Sequence, residues 1–347
     1  MLYISKININ ANTARAKHIR SLIQANDYIN RPLKFVFFNY KKPNIGVLIF
    51  LKSIIKAIFK EDIVYTRDIE FAIICSFLNI KVVLEIHQFG MIRKTTKNFI
   101  LNRYGLFFLS KSKFVKFVTL TKDSARVLRN LYPSLLKNRI FIIPDAGGFI
   151  YKNYLYLKKD NCRKNKKINI SYAGSLLPGK GGLETICLAK GLSQYQFNIA
   201  GNLSDDLIEE VSQVDNINFF GYLNDNEIIE FYSSSDILIA PIGARIFLDK
   251  KLKNEITFYT SPLKIYEYLI TNKPIIAIDR PCLRLFKNIP GIWLINKKEA
   301  FNLNTWKSTI KMAYLESQKS NYDYLLKARN NYLYNWEKRI NDMVMIK

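Results

Sequence analysis

The sequence predicts an α/β protein built from two doubly wound, Rossmann-like domains with parallel sheets. Three observations carry this. Short β-branched and aromatic runs alternate with amphipathic stretches at the spacing of βαβ units. The alternation breaks once, at the polar and basic stretch YKNYLYLKKDNCRKNKK over residues 151–167. It then restarts with the same rhythm. The break marks a linker, so the expected domains are residues 1–155 and 165–347.

In the first domain, strands are expected at Ile4–Ile9, Lys34–Phe38, Asp62–Tyr65, Lys81–Ile86, Lys116–Leu120 and Ile140–Ile143. Helices are expected at Thr13–Asn26, Ile45–Phe59, Ile69–Asn79 and Lys122–Leu131. In the second, strands are expected at Lys167–Tyr172, Tyr195–Ala200, Asn216–Phe219, Asp236–Ala240, Pro274–Ile278 and Ile292–Ile295. The helices between them fall at Leu183–Lys190, Asp205–Gln213, Asn224–Ser233 and Pro262–Thr271, and a polar helical tail starts near Asn304. Such sheets place ligands at the C-terminal ends of their strands.

Composition narrows the function. The 347 residues carry 53 Lys+Arg against 28 Asp+Glu, a net charge of +25. That excess points to an anionic partner: nucleic acid, a phospholipid surface or a phosphorylated substrate. No nucleic-acid recognition motif is present, and the aromatics fall largely in predicted core strands. Cys75, Cys162, Cys187 and Cys282 form no CxxC pair, and the only histidines are His18 and His87, so no metal site is expected. The cysteines read as small core residues in a reducing compartment. The N-terminus MLYISKININ lacks the apolar run of a signal peptide, and no stretch reaches the ~20 apolar residues of a spanning helix.

Three constellations carry chemistry. The stretch YAGSLLPGKGG, Tyr172–Gly182, follows a buried strand and opens a helix. It is either an ordinary glycine-rich βα turn or a cradle in which backbone amides and Lys180 meet a phosphate. It is not a Walker loop, because no GK[ST] is present. The stretch TSPLKIYEYLITNKPIIAID, Thr260–Asp279, places Ser261 and Pro262 as N-cap and first helical residue. Lys264 and Glu267 share the face of that helix, and a carboxylate there suits ribose hydroxyls. The third is FNIAGN, Phe197–Asn202, with FFGYLNDNEIIEFYSSSDILIAP, Phe219–Pro241. Gly201 and Gly221 end strands at the ligand edge, and Gly221 lets the backbone of Tyr222 and Leu223 approach a planar base.

These motifs stand in the order AGSL…GKG, FNIAGN, NINFFGYL…EIIEFYSSSDILIAP, SPLKIYEYLITNKPIIA. In that order, residues 172–279 resemble the nucleotide-binding half of the family-4 retaining glycosyltransferases, which have the GT-B fold. The N-terminal half matches more loosely, through VYTRD (Val64–Asp68), VVLEIH (Val82–His87) and IIPDAGG (Ile142–Gly148). The resemblance implies that Gly174 and Lys180 contact a donor diphosphate, with Ser175 beside them in the donor-binding set, and that Glu267 holds the ribose. It implies that Ser261, Pro262, Leu263 and Lys264 line the phosphate–sugar pocket, with Gly201, Gly221, Tyr222 and Leu223 around the base. His87 is then the residue that approaches the donor sugar or the acceptor hydroxyl; a structural, hydrogen-bonded histidine is the other reading. No cofactor or metal is implied beyond the sugar nucleotide, expected to be UDP-linked, used as co-substrate. Two positions depart from the family pattern. Ser175 stands where an arginine is usual, for which Lys264 or Arg245 offers a substitute charge, and Tyr259 stands where a second glutamate is usual.

Arg15 and Lys17, after the first strand, are placed to bind an acceptor phosphate. Lys52, Lys56 and Lys60 form one stripe on the apolar stretch Asn44–Lys60. That stripe suits an interfacial helix on anionic lipid, or equally a Rossmann helix with a solvated lysine face. The expected protein is a cytoplasmic transferase, peripheral on the inner face of the plasma membrane, with a lipid-linked or surface-polysaccharide acceptor. A catalytically impaired partner protein of the same fold, a sugar-nucleotide epimerase and a nucleic-acid-binding protein are the competing expectations.

Overall fold

The computed structural model describes residues 1–11, 13–30, 33–38, 52, 55, 63–87, 96–147, 167–202, 205–247, 255–257, 260–319, 322, 327, 329 and 334–346. The chain divides into two units. The first comprises residues 1–150, 258–261 and 334–347, the second 151–257 and 262–333.

The first unit holds six strands: β1 (Leu2–Lys6), β2 (Lys34–Phe38), β3 (Val64–Thr66), β4 (Val82–Ile86), β5 (Val115–Thr119) and β6 (Ile140–Ile142). They pair in parallel in the order β2-β1-β3-β4-β5-β6. Its helices are α1 (Ala14–Tyr28), α2 (Ile69–Phe77), α3 (Thr96–Lys111) and α4 (Lys122–Leu131). β3 and β4 are buried at every residue, as a parallel sheet covered on both faces requires. Thr13 caps α1 by accepting from the Ala16 amide at 3.2 Å, and Thr121 and Ser124 form a reciprocal cap on α4.

The second unit holds β7 (Asn169–Ala173), β8 (Gln196–Ala200), β9 (Ile217–Phe219), β10 (Ile237–Ala240), β11 (Ile275–Ile278) and β12 (Ile292–Ile295). All pairs are parallel, in the order β12-β11-β10-β7-β8-β9. Read from β9, this is the Rossmann order 3-2-1-4-5-6, whose direction reverses between β7 and β10. The helices are α5 (Gly182–Gly191), α6 (Asp205–Ser212), α7 (Asp225–Ser233), α8 (Leu263–Leu269) and α9 (Leu303–Ser317). β10 and β11 are buried throughout, and α9 inserts Trp306 into the core, its indole N–H donating to the Ala300 carbonyl at 2.8 Å.

Four expectations are corrected. The first strand lies at Leu2–Lys6, and the third is displaced to Val64–Thr66. Helix α3 was legible in the sequence only as scattered charge. Cys75 and Cys282 are buried, but Cys187 is exposed on α5. The second domain does not extend to residue 347. The last helix, α10 (Trp336–Val344), packs in the first unit, where Trp336, Ile340 and Met343 join Ile19, Leu22 and Val83 in the core. The helix expected at Ile45–Phe59 lies outside the described residues, save Lys52 and Ile55, which are helical and exposed.

Candidate functional site

In the second unit, the C-terminal ends of β7, β8 and β9 form a rim of glycines. The Gly174 amide donates to Ala200 O at 2.9 Å, and the Gly201 amide donates to Gly221 O at 2.8 Å. Gly174 has φ +150° and Gly201 φ +152°, conformations that exclude most side chains. A Cβ on Gly174 would lie 2.7 Å from Lys264 Nζ, and one on Gly201 would collide with the Gly174 carbonyl. The rim is therefore bare backbone, next to the β7/β10 reversal where doubly wound sheets take ligands.

Side chains from β7 and α8 close on this rim. The Tyr172 hydroxyl lies 2.7 Å from Ser175 O and 3.1 Å from Lys180 O, which ties down the loop between β7 and α5. Lys264, from the first turn of α8, lays its ammonium 3.6 Å from the Tyr172 ring centroid and 3.4 Å from Lys180 O. Burial, then the Lys180 charge, holds the Lys264 pKa well below the ordinary lysine range. Burial also lowers that of Lys180. Two cations short of water and close to each other gain by meeting an anion. Glu267, one turn along from Lys264, lies 3.4 Å from the Tyr232 hydroxyl, which holds its carboxylate beside α7.

The structure thus brings together Gly174, Lys180, Gly201, Gly221 and Lys264, with Glu267 on the same helix as Lys264. Of the two substitutes for the missing arginine charge, Lys264 is the one that reaches Gly174. Arg245 is exposed and ion-paired to Glu255 at 2.7 Å. Ser175 is exposed, and its hydroxyl accepts from the Leu177 amide at 3.3 Å. Tyr222 is exposed and Leu223 partly so. Tyr259 lies outside the described residues. Ser261 is not the N-cap. Pro262 holds that position without a side-chain bond, Leu263 is the first helical residue, and Ser261 Oγ is buried with no partner among the described residues. A hydroxyl turned inward cannot reach the amides of the next turn. Glu184 is a residue the sequence did not single out. Its carboxylate accepts from the Gly181 amide at 3.0 Å and caps the start of α5. Burial raises its pKa.

In the first unit, His87 follows β4 and touches Glu85, two residues back on the same strand face. Glu85 is fully buried and also accepts from the Tyr65 hydroxyl and from Arg339 Nη2, the latter at 2.8 Å. Arg339, on α10, donates as well to the Ile143 and Pro144 carbonyls and lies 4.0 Å from Asp145. Burial alone would raise the Glu85 pKa. Arg339 and His87 outweigh it and hold the carboxyl well below the usual range. Burial and then Arg67 lower the pKa of His87. His18 Nδ1 lies 3.5 Å from Asp145 Oδ1. His18, Glu85 and Asp145 have ligand atoms within 4.8 Å of one another. Arg339 pairs with Glu85 and lies 4.0 Å from Asp145, and Arg67 lies 4.0 Å from Glu85, so two guanidiniums stand against the two carboxylates in an ion-paired hub. Of this hub the sequence had singled out only His87.

Arg15 donates to Asp68 at 2.9 Å and to Ser5 Oγ at 2.7 Å, at the β1/β3 reversal of the first sheet, and its side chain stays 35% exposed. Lys17 lies in the first turn of α1, partly exposed. Among the described residues no helix is long and apolar enough to cross a membrane.

No family model matches the chain. One curated relative, an uncharacterized 41.2 kDa protein in the cps region of Klebsiella pneumoniae, is 27% identical over 111 residues. The match covers 30% of this chain and 30% of that protein. Solved structures are similar over the full length. Anabaena Alr3699/HepE, in complex with UDP and glucose, superposes with a TM-score of 0.64 at 12% identity, covering 100% of this chain and 99% of that one. WaaG, a glycosyltransferase involved in lipopolysaccharide biosynthesis, gives 0.66 at 12% identity, covering 100% of both chains. Sucrose-phosphate synthase from Thermosynechococcus elongatus gives 0.67 at 13%, covering 99% and 97%. With its two parallel six-stranded sheets, the chain has the GT-B fold of these glycosyltransferases.

Proposed function

We propose that the protein is a glycosyltransferase that takes a sugar from a nucleoside diphosphate, uridine-linked, and passes it with retention to a lipid-linked or surface-polysaccharide acceptor. One observation carries the donor half. Lys264 brings a desolvated ammonium group to a rim of bare glycine backbone at the β7/β10 reversal, and Lys180, whose carbonyl that ammonium meets, adds a second largely desolvated lysine to the same loop. In this reading the lysines hold the diphosphate, Glu267 takes the ribose hydroxyls, and Tyr222 and Leu223 flank the base. The complexes of HepE with UDP and glucose support a uridine nucleotide. The two ammonium groups supply the charge that a departing diphosphate needs. We therefore assign the transfer no metal, and a chelator should leave its rate unchanged. His87 is assigned to the donor sugar or the acceptor hydroxyl, and Arg15 and Lys17 to an acceptor phosphate.

The acceptor half rests on the surface of α2 and α3. Ile74, Phe77, Leu78, Tyr104, Phe107 and Phe108 are exposed there, and Phe77 stacks on Phe108 at 4.7 Å. Residues 69–116 contain eight Lys and Arg against two acids, Glu70 and Glu85. Both acids are paired, Glu70 to Lys6 at 2.9 Å and Glu85 in the hub. Exposed aromatics amid an excess of positive charge suit an anionic bilayer, which would hold a lipid-linked acceptor and keep the enzyme peripheral on the cytoplasmic membrane face. The lipopolysaccharide role of WaaG and the cps location of the Klebsiella relative agree with this.

The deciding experiment is a thermal melt with UDP. A ligand at a hundredfold excess over its Kd stabilises by about 2.7 kcal/mol, and Glu267→Ala should remove that shift. No stabilisation by any of a panel of nucleoside diphosphates would overturn the proposal.

A further inference from the structure

Three donors converge on the buried carboxylate of Glu85. The Tyr65 hydroxyl and Arg339 Nη2 both reach Oε2, and His87 Nε2 reaches Oε1. Arg67 Nε is 4.0 Å from Oε1. Tyrosine and arginine each bring their own proton, so Oε2 accepts twice. A carboxylate kept ionised by a guanidinium can accept from the imidazole but has no proton to give it. The His87 nitrogen that faces it must therefore be the protonated one. A neutral imidazole has a single N–H, so Nδ1 keeps its lone pair.

We propose that Glu85 is the positioning residue of His87, fixing the Nε2–H tautomer and so presenting Nδ1 as a hydrogen-bond acceptor for a substrate hydroxyl. The role of that acceptor rests on the glycosyltransferase reading; the tautomer does not. The other charged and titratable groups around the ring and its carboxylate are Arg67, Arg339, Asp145, Tyr65 and the edge of His18, whose centroid lies 6.0 Å away. His18 is buried beside Arg67 and Arg339, both of which oppose its protonation. The final helix thus acts on His87 at one remove: Arg339 keeps Glu85 ionised, and Glu85 sets the ring.

The chain has only two histidines, so the test is direct. The full-length protein, labelled with 15N in histidine, is examined by long-range proton–nitrogen correlation, with His87→Gln to assign the signals. His87, whose pKa is lowered by burial, is expected to be neutral at about pH 8, with a protonated Nε2 and a bare Nδ1. In Glu85→Gln the amide oxygen must serve Tyr65 and Arg339, which leaves the amide N–H facing His87 Nε2. The proton should then move to Nδ1, and sugar transfer should fall about a hundredfold. An Nδ1–H or doubly protonated ring in the unsubstituted protein would overturn the proposal, as would an unaltered tautomer in a folded Glu85→Gln variant. If that variant does not fold, the spectrum of the unsubstituted protein still decides. The predicted tautomer in a protein that turns over no sugar nucleotide would sink the glycosyltransferase reading and leave the hub standing.

Discussion

Replacing Arg339 by methionine should destabilise the first unit severely, and the size follows from what it leaves behind. The guanidinium has no exposure and serves Glu85 at 2.8 Å, Asp145 at 4.0 Å and the carbonyls of Ile143 and Pro144. Methionine fills much of the volume but pairs with none of these. Removing one partner of a buried ion pair costs about 3–5 kcal/mol. For a unit of this size that lowers the melting temperature by roughly 6–20 °C. The pH dependence carries a sign that a packing defect would not. In the native protein the folded-state pKa of Glu85 is depressed. Its stabilisation is therefore present above the unfolded value and lost as pH falls through the folded one. Without Arg339, burial should dominate and raise that pKa, so stability is instead lost as pH rises above the unfolded carboxyl value. The deficit of the variant should accordingly shrink as pH is lowered through about 4.5. Calorimetry at neutral and acid pH measures this, and Arg339→Met with Glu85→Gln should recover part of the loss. A deficit below about 1 kcal/mol, or one that ignores pH, would refute the reasoning.

Three further outcomes are expected. Lys180→Ala should weaken UDP binding about ten- to a hundredfold, the worth of a charge-assisted bond, while its melting temperature without ligand stays close to the native value; titration calorimetry checks both. Gly174→Ala should cost about 1–3 kcal/mol in strain and push Lys264 Nζ from its seat, so UDP stabilisation should fall even when the protein is folded. Phe77→Ser with Phe107→Ser removes exposed apolar area worth about 2–4 kcal/mol at a bilayer. Co-sedimentation with phosphatidylglycerol vesicles should drop more than tenfold, with no loss of folding stability. Equal sedimentation of the variant would remove α2 and α3 as the membrane face.

What the sequence disclosed depended on range. Strands such as Ile275–Ile278, buried on both faces, announce themselves as unbroken apolar runs. Gly174, Gly201 and Gly221 are visible because each follows a short strand-like run, and their alignment along one rim follows from the parallel order of β7, β8 and β9. Lys264 was visible as a charge near a helix start. That its ammonium lies over Tyr172 was not, because Tyr172 reads simply as a core residue of β7. Helix α3 was hidden because its lysines and aromatics fall on no clean stripe. The hub was the hardest to see: Glu85 and Arg339 are 254 positions apart, and nothing local in WEKRINDMV tells a buried arginine from a solvated one. The alternation of Glu85 and His87 on one strand face was the single local sign available.

The composition of that hub bears on why α10 returns to the first sheet. Trp336, Ile340 and Met343 already supply an apolar anchor against α1, and burying well-packed apolar residues is usually at least as stabilising as burying ions. If docking were the only requirement, a leucine at position 339 would serve, with Glu85 and Asp145 replaced to match. Instead Glu85, Asp145, Arg339, His18 and Tyr65 are all buried together near the C-terminal end of β4, where Glu85 takes bonds from Tyr65 and Arg339 while Asp145 Oδ1 and Arg339 Nε have no hydrogen-bond partner among the described residues. Such a cluster tolerates few alternative packings, because any shift strands a charge. What it gains is a fixed direction for the one member that keeps some exposure, His87, whose side chain is 21% accessible. The buried charges are therefore better explained by the orientation of His87 than by the stability of the helix that carries Arg339.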